Sequence, residues 1–89
     1  MATLEFTANI QRHVACPRRE VAGNTVRAVL DAAFADNPSA RTYVLDDQGA
    51  LRKHINIFVD GVLIRDRIGL TDPVAPDAAV HVFQALSGG

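Results

Sequence analysis

Apolar residues occupy every second position from Leu4 to Ile10, and polar residues fill most of the positions between them. A period of two indicates a strand with one buried face, so we expect a strand over residues 3–10. Residues 11–17 are mostly polar and end in a proline, which indicates a loop. Residues 18–21 then predict a short second strand that pairs with the first.

The apolar period changes to that of a helix after Gly23-Asn24. Five apolar residues recur there at spacings of three and four and form one stripe: Val26, Val29, Leu30, Ala33 and Phe34. This stripe predicts an amphipathic helix of about three turns. Asn24 is the predicted N-cap, because its side-chain oxygen can accept a backbone N–H of the first turn. Asn37-Pro38 predicts the end of the helix, since proline disfavours a helical residue before it.

Residues 42–45 predict a short strand, and a turn over residues 46–49 follows it. The turn contains the adjacent aspartates Asp46 and Asp47. Two carboxylates can serve as metal ligands or as an acid–base pair, but neighbouring strand residues point to opposite faces and aspartate favours turns. We therefore interpret both aspartates as turn residues.

Asp60-Gly61 is the strongest local signal in the chain. Apolar, β-branched runs flank it over residues 52–59 and 62–64. A type I′ turn requires positive φ at both central positions, which Asp-Gly adopts readily, so a hairpin is predicted here. Residues 79–86 predict the last strand, after a proline-containing loop.

Parity along the last strands separates two aromatic residues from the core. Phe58 and Phe83 alternate with the apolar residues that we expect to be buried. Because one helix cannot cover both faces of a sheet, these two residues form a candidate partner surface on the open face. The alternative is a slip in parity that places one of them inside.

Together these elements predict an α+β fold, a mixed sheet of about five strands with one main helix packed on one face. At 89 residues the chain is one small domain, which we expect over residues 1–86. Residues 87–89, Ser87-Gly88-Gly89, predict a flexible tail. Two glycines have no side chain to pack and lose much backbone entropy when ordered, but such a tail is thin enough to thread a narrow channel.

Composition and charge exclude several classes of function. The formal net charge is −1, and the only adjacent basic pairs are Arg18-Arg19 and Arg52-Lys53. Two short pairs do not make a phosphate-binding groove, so we expect no nucleic-acid partner. No stretch is long enough to span a bilayer, and the N-terminus lacks the pattern of a signal peptide. Cys16 is the single cysteine, which fits a reducing cytosol and a cytoplasmic protein.

His13 and Cys16 lie three residues apart and are the remaining candidates for chemistry. Such a pair could bind a metal or form a nucleophile with its base. Two ligands do not make a zinc site, however, and the other histidines, His54 and His81, fall in predicted strands. A catalytic cysteine would also need a third group that orients its base. We interpret both residues as structural and expect no metal site.

Three stretches resemble a known family. Residues 23–26 are similar to the start of its helix, and residues 55–61, an apolar strand followed by Val-Asp-Gly, are similar to its hairpin. Residues 70–80 then lead into a final strand and the sequence 83–89, which ends in Gly-Gly. With the order of two strands, a helix and further strands, the chain resembles the ubiquitin-like β-grasp. It is most similar to the MoaD/ThiS-type sulfur carriers of molybdopterin, thiamine and cysteine biosynthesis.

Two departures from the family pattern leave open which branch of the family the chain resembles most. Gln84-Ala85 stands where the family often has two prolines, and Pro76-Asp77 stands where it often has Gly-Asp. Neither change touches the chemistry of the terminal carboxylate. The long segment over residues 41–53 is more similar to the cysteine-biosynthesis and archaeal carriers than to the thiamine carrier.

The resemblance implies that the chain is a carrier and a substrate, not an enzyme. A partner that resembles ubiquitin-activating enzyme would use ATP to adenylate Gly89, and a persulfide would convert it to a thiocarboxylate that serves a sulfur-accepting synthase. Gly88, Ser87 and Leu86 would extend the tail into partner active sites, while Phe58 and Phe83 dock the partners. No cofactor would stay bound. The alternative is a ubiquitin-like modifier that is joined through Gly89 to target lysines.

Overall fold

A five-stranded mixed sheet organises the structure, a computed structural model that describes residues 1–85. Its elements in chain order are β1 (Ala2–Phe6), α1 (Ala8–Gln11), β2 (Arg19–Val21), α2 (Val26–Phe34), α3 (Pro38–Val44), β3 (Ile55–Val59), β4 (Val62–Leu63) and β5 (Ala79–Gln84). The predicted α+β class, with about five strands and one main helix, is confirmed.

The strand order of the sheet is β2-β1-β5-β3-β4. The pair β1–β5 is parallel, with Leu4 beside Val80, and the other pairs are antiparallel. The last strand of the chain is therefore the central strand of the sheet. It is paired on both sides, so the position of its end at Gln84 is fixed by the sheet.

Helix α2 supplies the apolar stripe that the sequence predicts. All five stripe residues are buried, and the Phe34 ring lies 6.1 Å from the ring of Phe6 on β1. The N-cap was predicted at Asn24 and is instead Thr25, whose hydroxyl accepts the Ala28 backbone N–H at 3.1 Å. The helix is therefore capped one residue later than predicted, and both residue types are good N-caps.

The predicted strand over residues 3–10 is wrong beyond Phe6. The chain turns there into the short helix α1, which starts after Thr7. Ile10 is fully buried, as the alternating pattern also required, but it reaches the core from a helical turn. The Gln11 side chain then donates to the Phe6 carbonyl at 2.8 Å and ties α1 to the end of β1.

The predicted strand over residues 42–45 is also wrong, because most of it belongs to helix α3. Asn37 caps this helix by accepting the Ala40 backbone N–H at 3.3 Å, and proline fills its first position. Proline suits the first helical position, because a backbone N–H there would have no acceptor within the helix and because the ring holds φ near its helical value. Ala40 and Val44, four residues apart, are both buried, so α3 covers the core with one face.

Both predicted turns are confirmed. The Asp46 carboxylate accepts the backbone N–H groups of Gln48 and Ala50 at 2.9 and 3.0 Å, which makes it a turn residue. Asp60 and Gly61 have φ values of 50° and 81°, as a type I′ hairpin requires. The Asp60 carboxylate also accepts the backbone N–H of the first residue of β5 at 2.9 Å.

Candidate partner surface beside the central strand

One face of the sheet points away from α2, and we name it the open face. It is formed by side chains on β1, β3 and β5: Thr3, Glu5, Asn56, Phe58, His81 and Phe83. On the same three strands, the alternate residues Leu4, Ile57 and Val82 are fully buried on the other side. The strict alternation follows from the pleat, since successive strand residues point to opposite faces.

Phe58 and Phe83 form an aromatic pair at the centre of the open face. Their ring centroids lie 5.1 Å apart and their planes meet at 77°, an edge-to-face contact. The register produces this pair, because Phe58 lies opposite His81 and Phe83 lies opposite Asn56. The two rings are therefore diagonal neighbours. Their predicted place on the face away from the core is confirmed.

The aromatic pair is only partly covered by its neighbours. Phe83 keeps 39% of its surface exposed, and Phe58 is half-buried. A shallow groove of about 420 Å³ runs over the two rings and reaches Ala85 at the end of the last strand. An exposed apolar groove between polar residues is typical of a surface that another protein covers.

Polar groups border the aromatic pair on the β1 side. The Glu5 carboxylate lies 3.8 Å from the His81 imidazole, and the His81 ring lies 6.2 Å from the ring of Phe83. The Glu5–His81 contact is an ion pair only when the imidazole is protonated. A partner that covers Phe83 would also meet this polar border.

The end of β5, which we name the tail root (Gln84 and Ala85), is held by three contacts. Gln84 pairs with Ile55 in the sheet, and the Ala85 backbone N–H donates to the His54 carbonyl at 2.7 Å. From the helical side, the Tyr43 hydroxyl donates to the Gln84 side-chain oxygen at 2.7 Å. The direction in which the chain leaves the sheet is therefore fixed as far as residue 85.

Tyr43 is a residue that the sequence analysis missed. Its ring stacks on His13, with centroids 5.7 Å apart and planes 17° from parallel. The contact joins α3 to the loop after α1, and the hydroxyl then reaches the tail root. Because residues 42–45 were predicted as a strand, no local pattern indicated that this tyrosine would meet Gln84.

The tail residues Leu86, Ser87, Gly88 and Gly89, which carry the predicted chemistry, lie outside the described residues. Their assigned roles remain predictions. The same holds for the predicted boundary between a domain over residues 1–86 and a tail over residues 87–89. Within residues 1–85, no helix is long and apolar enough to cross a membrane.

Cys16 and His13 do not form a reactive pair. Cys16 is buried and its thiol donates to the Val14 carbonyl at 3.3 Å. Burial raises the pKa of the Cys16 thiol, which lowers its thiolate fraction and its nucleophilicity. Among residues 1–85, no three histidine, cysteine, aspartate or glutamate side chains cluster as metal ligands.

The sheet order, the parallel contact between the first and last strands and the helix across one face define a ubiquitin-like β-grasp fold. Known structures support this class over the whole chain. SAMP1 from Haloferax volcanii is 28% identical, with a TM-score of 0.77 over 99% of this chain and 98% of that one. One chain in the structure of the BexX/CysO complex from Amycolatopsis orientalis matches at 20% identity with a TM-score of 0.83, over 100% of this chain and 100% of that one. Urm1 from Trypanosoma brucei matches at 21% identity with a TM-score of 0.64, over 99% of this chain and 94% of that one.

The chain belongs to the ThiS family, whose sequence profile matches residues 11–89. The predicted resemblance to the MoaD/ThiS-type carriers is thereby confirmed. No curated protein sequence matches the chain. Family and fold together identify a small ubiquitin-like carrier protein.

Proposed function

We propose that this chain is a sulfur carrier whose C-terminal Gly89 is adenylated and then converted to a thiocarboxylate. The observation that carries the proposal is the family match, which extends through Gly88-Gly89. The matched region thus includes the diglycine, as the proposal requires. The tail root supports the same role, because its contacts fix the chain as far as residue 85, directly before the tail.

The chemistry follows from the weakness of a carboxylate as an acyl donor. A Gly89 carboxylate oxygen attacks the α-phosphorus of ATP in a partner that resembles ubiquitin-activating enzyme, and pyrophosphate leaves. The terminal sulfur of a persulfide then attacks the acyl carbon, and AMP leaves. A thiol cleaves the resulting acyl disulfide by exchange, which forms a disulfide with the donor sulfur and leaves the thiocarboxylate on Gly89.

The thiocarboxylate then delivers its sulfur to an electrophilic precursor in a sulfur-accepting synthase. We place this exchange in the cytoplasm, where thiols stay reduced. The chain needs no bound cofactor for this role, since ATP is a substrate of the activating partner. In each step the chain is the substrate and not the catalyst.

The open face is the surface that we assign to partner docking. Phe58 and Phe83 form its apolar centre, and aromatic residues at interface centres contribute much of the binding energy. Ser87 and Leu86 follow the tail root, so they would enter the partner's channel together with Gly88. The absence of β-carbons in Gly88 and Gly89 would allow the last residues to pass where bulkier ones cannot.

Reconstitution tests this function directly. The full chain is incubated with the adenylyltransferase of the same genome, ATP and a persulfide donor, and pyrophosphate release and the thiocarboxylate are measured. We expect both products with the wild-type chain and with Arg18→Gln, an exposed change beside β2, and neither with a chain that lacks Gly89. Equal pyrophosphate release with and without Gly89 would refute the proposal.

A second function, ubiquitin-like protein modification, is favoured by one specific observation. SAMP1 from Haloferax volcanii is 28% identical over 99% of this chain, and the related structure from Methanosarcina acetivorans is described as a small archaeal modifier protein. The two functions share the adenylation step. They are distinguished by the products in the native host: Gly-Gly remnants on lysines of other proteins indicate a modifier, and a thiocarboxylate on the free chain indicates a carrier.

A further inference from the structure

Three cationic side chains and one histidine, from two separate segments, meet beside the tail root. Arg52, Lys53 and His54 precede β3, and Arg67 comes from the loop after β4. The Arg67 guanidinium donates to the carbonyls of Arg52 and Ile55, each at 2.8 Å. We name these four residues the cationic rim, and they line a groove of about 570 Å³.

The charges of the rim have no carboxylate partner in the described part of the chain. Arg67 also donates to the Asn56 side-chain oxygen at 2.8 Å, and Arg52 donates to the Thr42 carbonyl at 2.7 Å, so both guanidinium groups meet neutral acceptors. The salt bridges within residues 1–85 join other residues. Neutral acceptors hold the arginines in place without cancelling their charge.

Asp46 is a carboxylate that also lines this groove. Its carboxylate accepts two backbone N–H groups of its own turn, at 2.9 and 3.0 Å. The Asp46 carboxylate therefore stabilises its own turn and, in the part of the chain that the structure describes, forms no salt bridge with the rim residues. The groove is therefore cationic overall, although the whole chain has a formal net charge of −1.

The rim adjoins the residues from which the tail departs. The His54 carbonyl accepts the Ala85 backbone N–H at 2.7 Å, and the neighbouring Ile55 pairs with Gln84. Asn56, which Arg67 holds, lies opposite Phe83 on the open face. Any protein that encloses the tail comes close to both the aromatic pair and the rim.

We infer that the cationic rim docks a carboxylate-rich segment of the adenylyltransferase that receives the tail. The inference rests on the proposed function and names a chemical feature of its partner. Complementary charges raise the rate of encounter and fix the register of docking. The aromatic pair then supplies apolar contact while the rim sets the orientation of the tail root.

The test measures the Kd of the full chain for the adenylyltransferase by titration calorimetry without ATP. The rim variant is Arg52→Gln/Lys53→Gln, and the matched control is Arg18→Gln/Arg19→Gln, which removes the other adjacent basic pair at the β2 edge of the sheet. Arg67 is left unchanged, since its bonds hold several backbone carbonyls. Melting curves of both variants check that each still folds.

We expect the rim variant to raise Kd about three- to tenfold at 50 mM salt, as two surface charge pairs would. The control should stay near the wild-type value. The difference should shrink as salt is raised to about 0.5 M, because screening shortens the range of charge interactions. Lys53→Glu should weaken binding further than Lys53→Gln.

A rim variant with the Kd of the control would overturn the inference, and so would tighter binding by Lys53→Glu. Loss of binding to a single-stranded oligonucleotide in the rim variant, with unchanged Kd for the enzyme, would also overturn it and would assign the rim to nucleic acid. Pyrophosphate release, which reports adenylation of the chain, is measured in an assay separate from the binding titration. A wild-type chain that binds but is never adenylated would refute the proposed function and leave the inference standing.

Discussion

Truncation of Phe83 separates the contribution of the aromatic pair to docking from its contribution to folding. Phe83 lies on the open face with 39% of its surface exposed, and its main partner is Phe58 at 5.1 Å. Phe83→Ala removes one edge-to-face contact, which stabilises proteins by about 0.5–1.5 kcal/mol beyond the area that it buries. It leaves no enclosed cavity, so the loss of folding free energy should stay well below the roughly 3–5 kcal/mol of a buried Phe→Ala change.

The same truncation should weaken partner binding much more. A central aromatic residue at an interface contributes about 2 kcal/mol or more, which corresponds to roughly a 30-fold increase in Kd. We expect this increase in titrations with the adenylyltransferase, together with a midpoint of urea unfolding that falls only slightly.

Ile68→Ala is the matched control for this experiment. Ile68 is an apolar residue with 76% of its surface exposed, and it lies in the loop after β4, outside the open face. Its truncation should leave Kd unchanged. If Phe83→Ala and Ile68→Ala bind equally well, the open face is not the docking surface and our reasoning about the aromatic pair is refuted.

Two further predictions concern contacts within the fold. Tyr43→Phe removes the hydrogen bond to Gln84 and should lower the free energy of unfolding by about 0.5–1.5 kcal/mol, with a fall of several degrees in Tm; an unchanged melting curve would contradict it. Hydrogen bonds from the Thr71 hydroxyl and the Gly69 backbone N–H lower the pKa of Asp66 to about 2. Because this folded pKa lies below the unfolded value near 4, the contribution of Asp66 is present above about pH 4 and is lost as the pH falls toward 2. Asp66→Asn should therefore flatten the pH dependence of urea unfolding between those values, and an unaltered slope would count against the role of Asp66.

The elements that the sequence predicts correctly depend on local or periodic signals. The stripe from Val26 to Phe34 determines α2 because its spacing matches a helix and nothing else of that length. Asp60-Gly61 determines the hairpin because few residue pairs adopt positive φ twice. Phe58 and Phe83 could be placed on one face because parity within a regular strand needs no tertiary information.

The elements that the sequence mispredicts depend on context. The segment around Val44 favours a strand by residue type, but Asn37 caps a new helix and the core contacts of Ala40 and Val44 select it. Asn37-Pro38 was interpreted only as the end of one helix, although the same pair starts the next. Ile10 would be buried in a strand and also in a short helix, so its apolar character could not distinguish the two structures.

The surroundings of the tail root could not be predicted at all. Tyr43 and Gln84 are 41 residues apart, and Arg67 lies 15 residues from Arg52. In the sequence alone, Arg52-Lys53 is too short a basic pair to indicate a binding site. The structure adds His54 and Arg67 to it, because the loop after β4 folds back onto the start of β3. Such clusters depend on topology and have no local pattern.

The central claim is that Gly89 carries sulfur, and the intact mass of the chain from its native host tests it most directly. The protein is purified under conditions that preserve thioacids, and its mass is compared with that of a sample treated with an alkylating reagent. We predict a fraction heavier than the encoded chain by one sulfur in place of one oxygen, with the alkyl group added at Gly89. A single species with an ordinary carboxylate, in cells where the adenylyltransferase is active, would contradict the account.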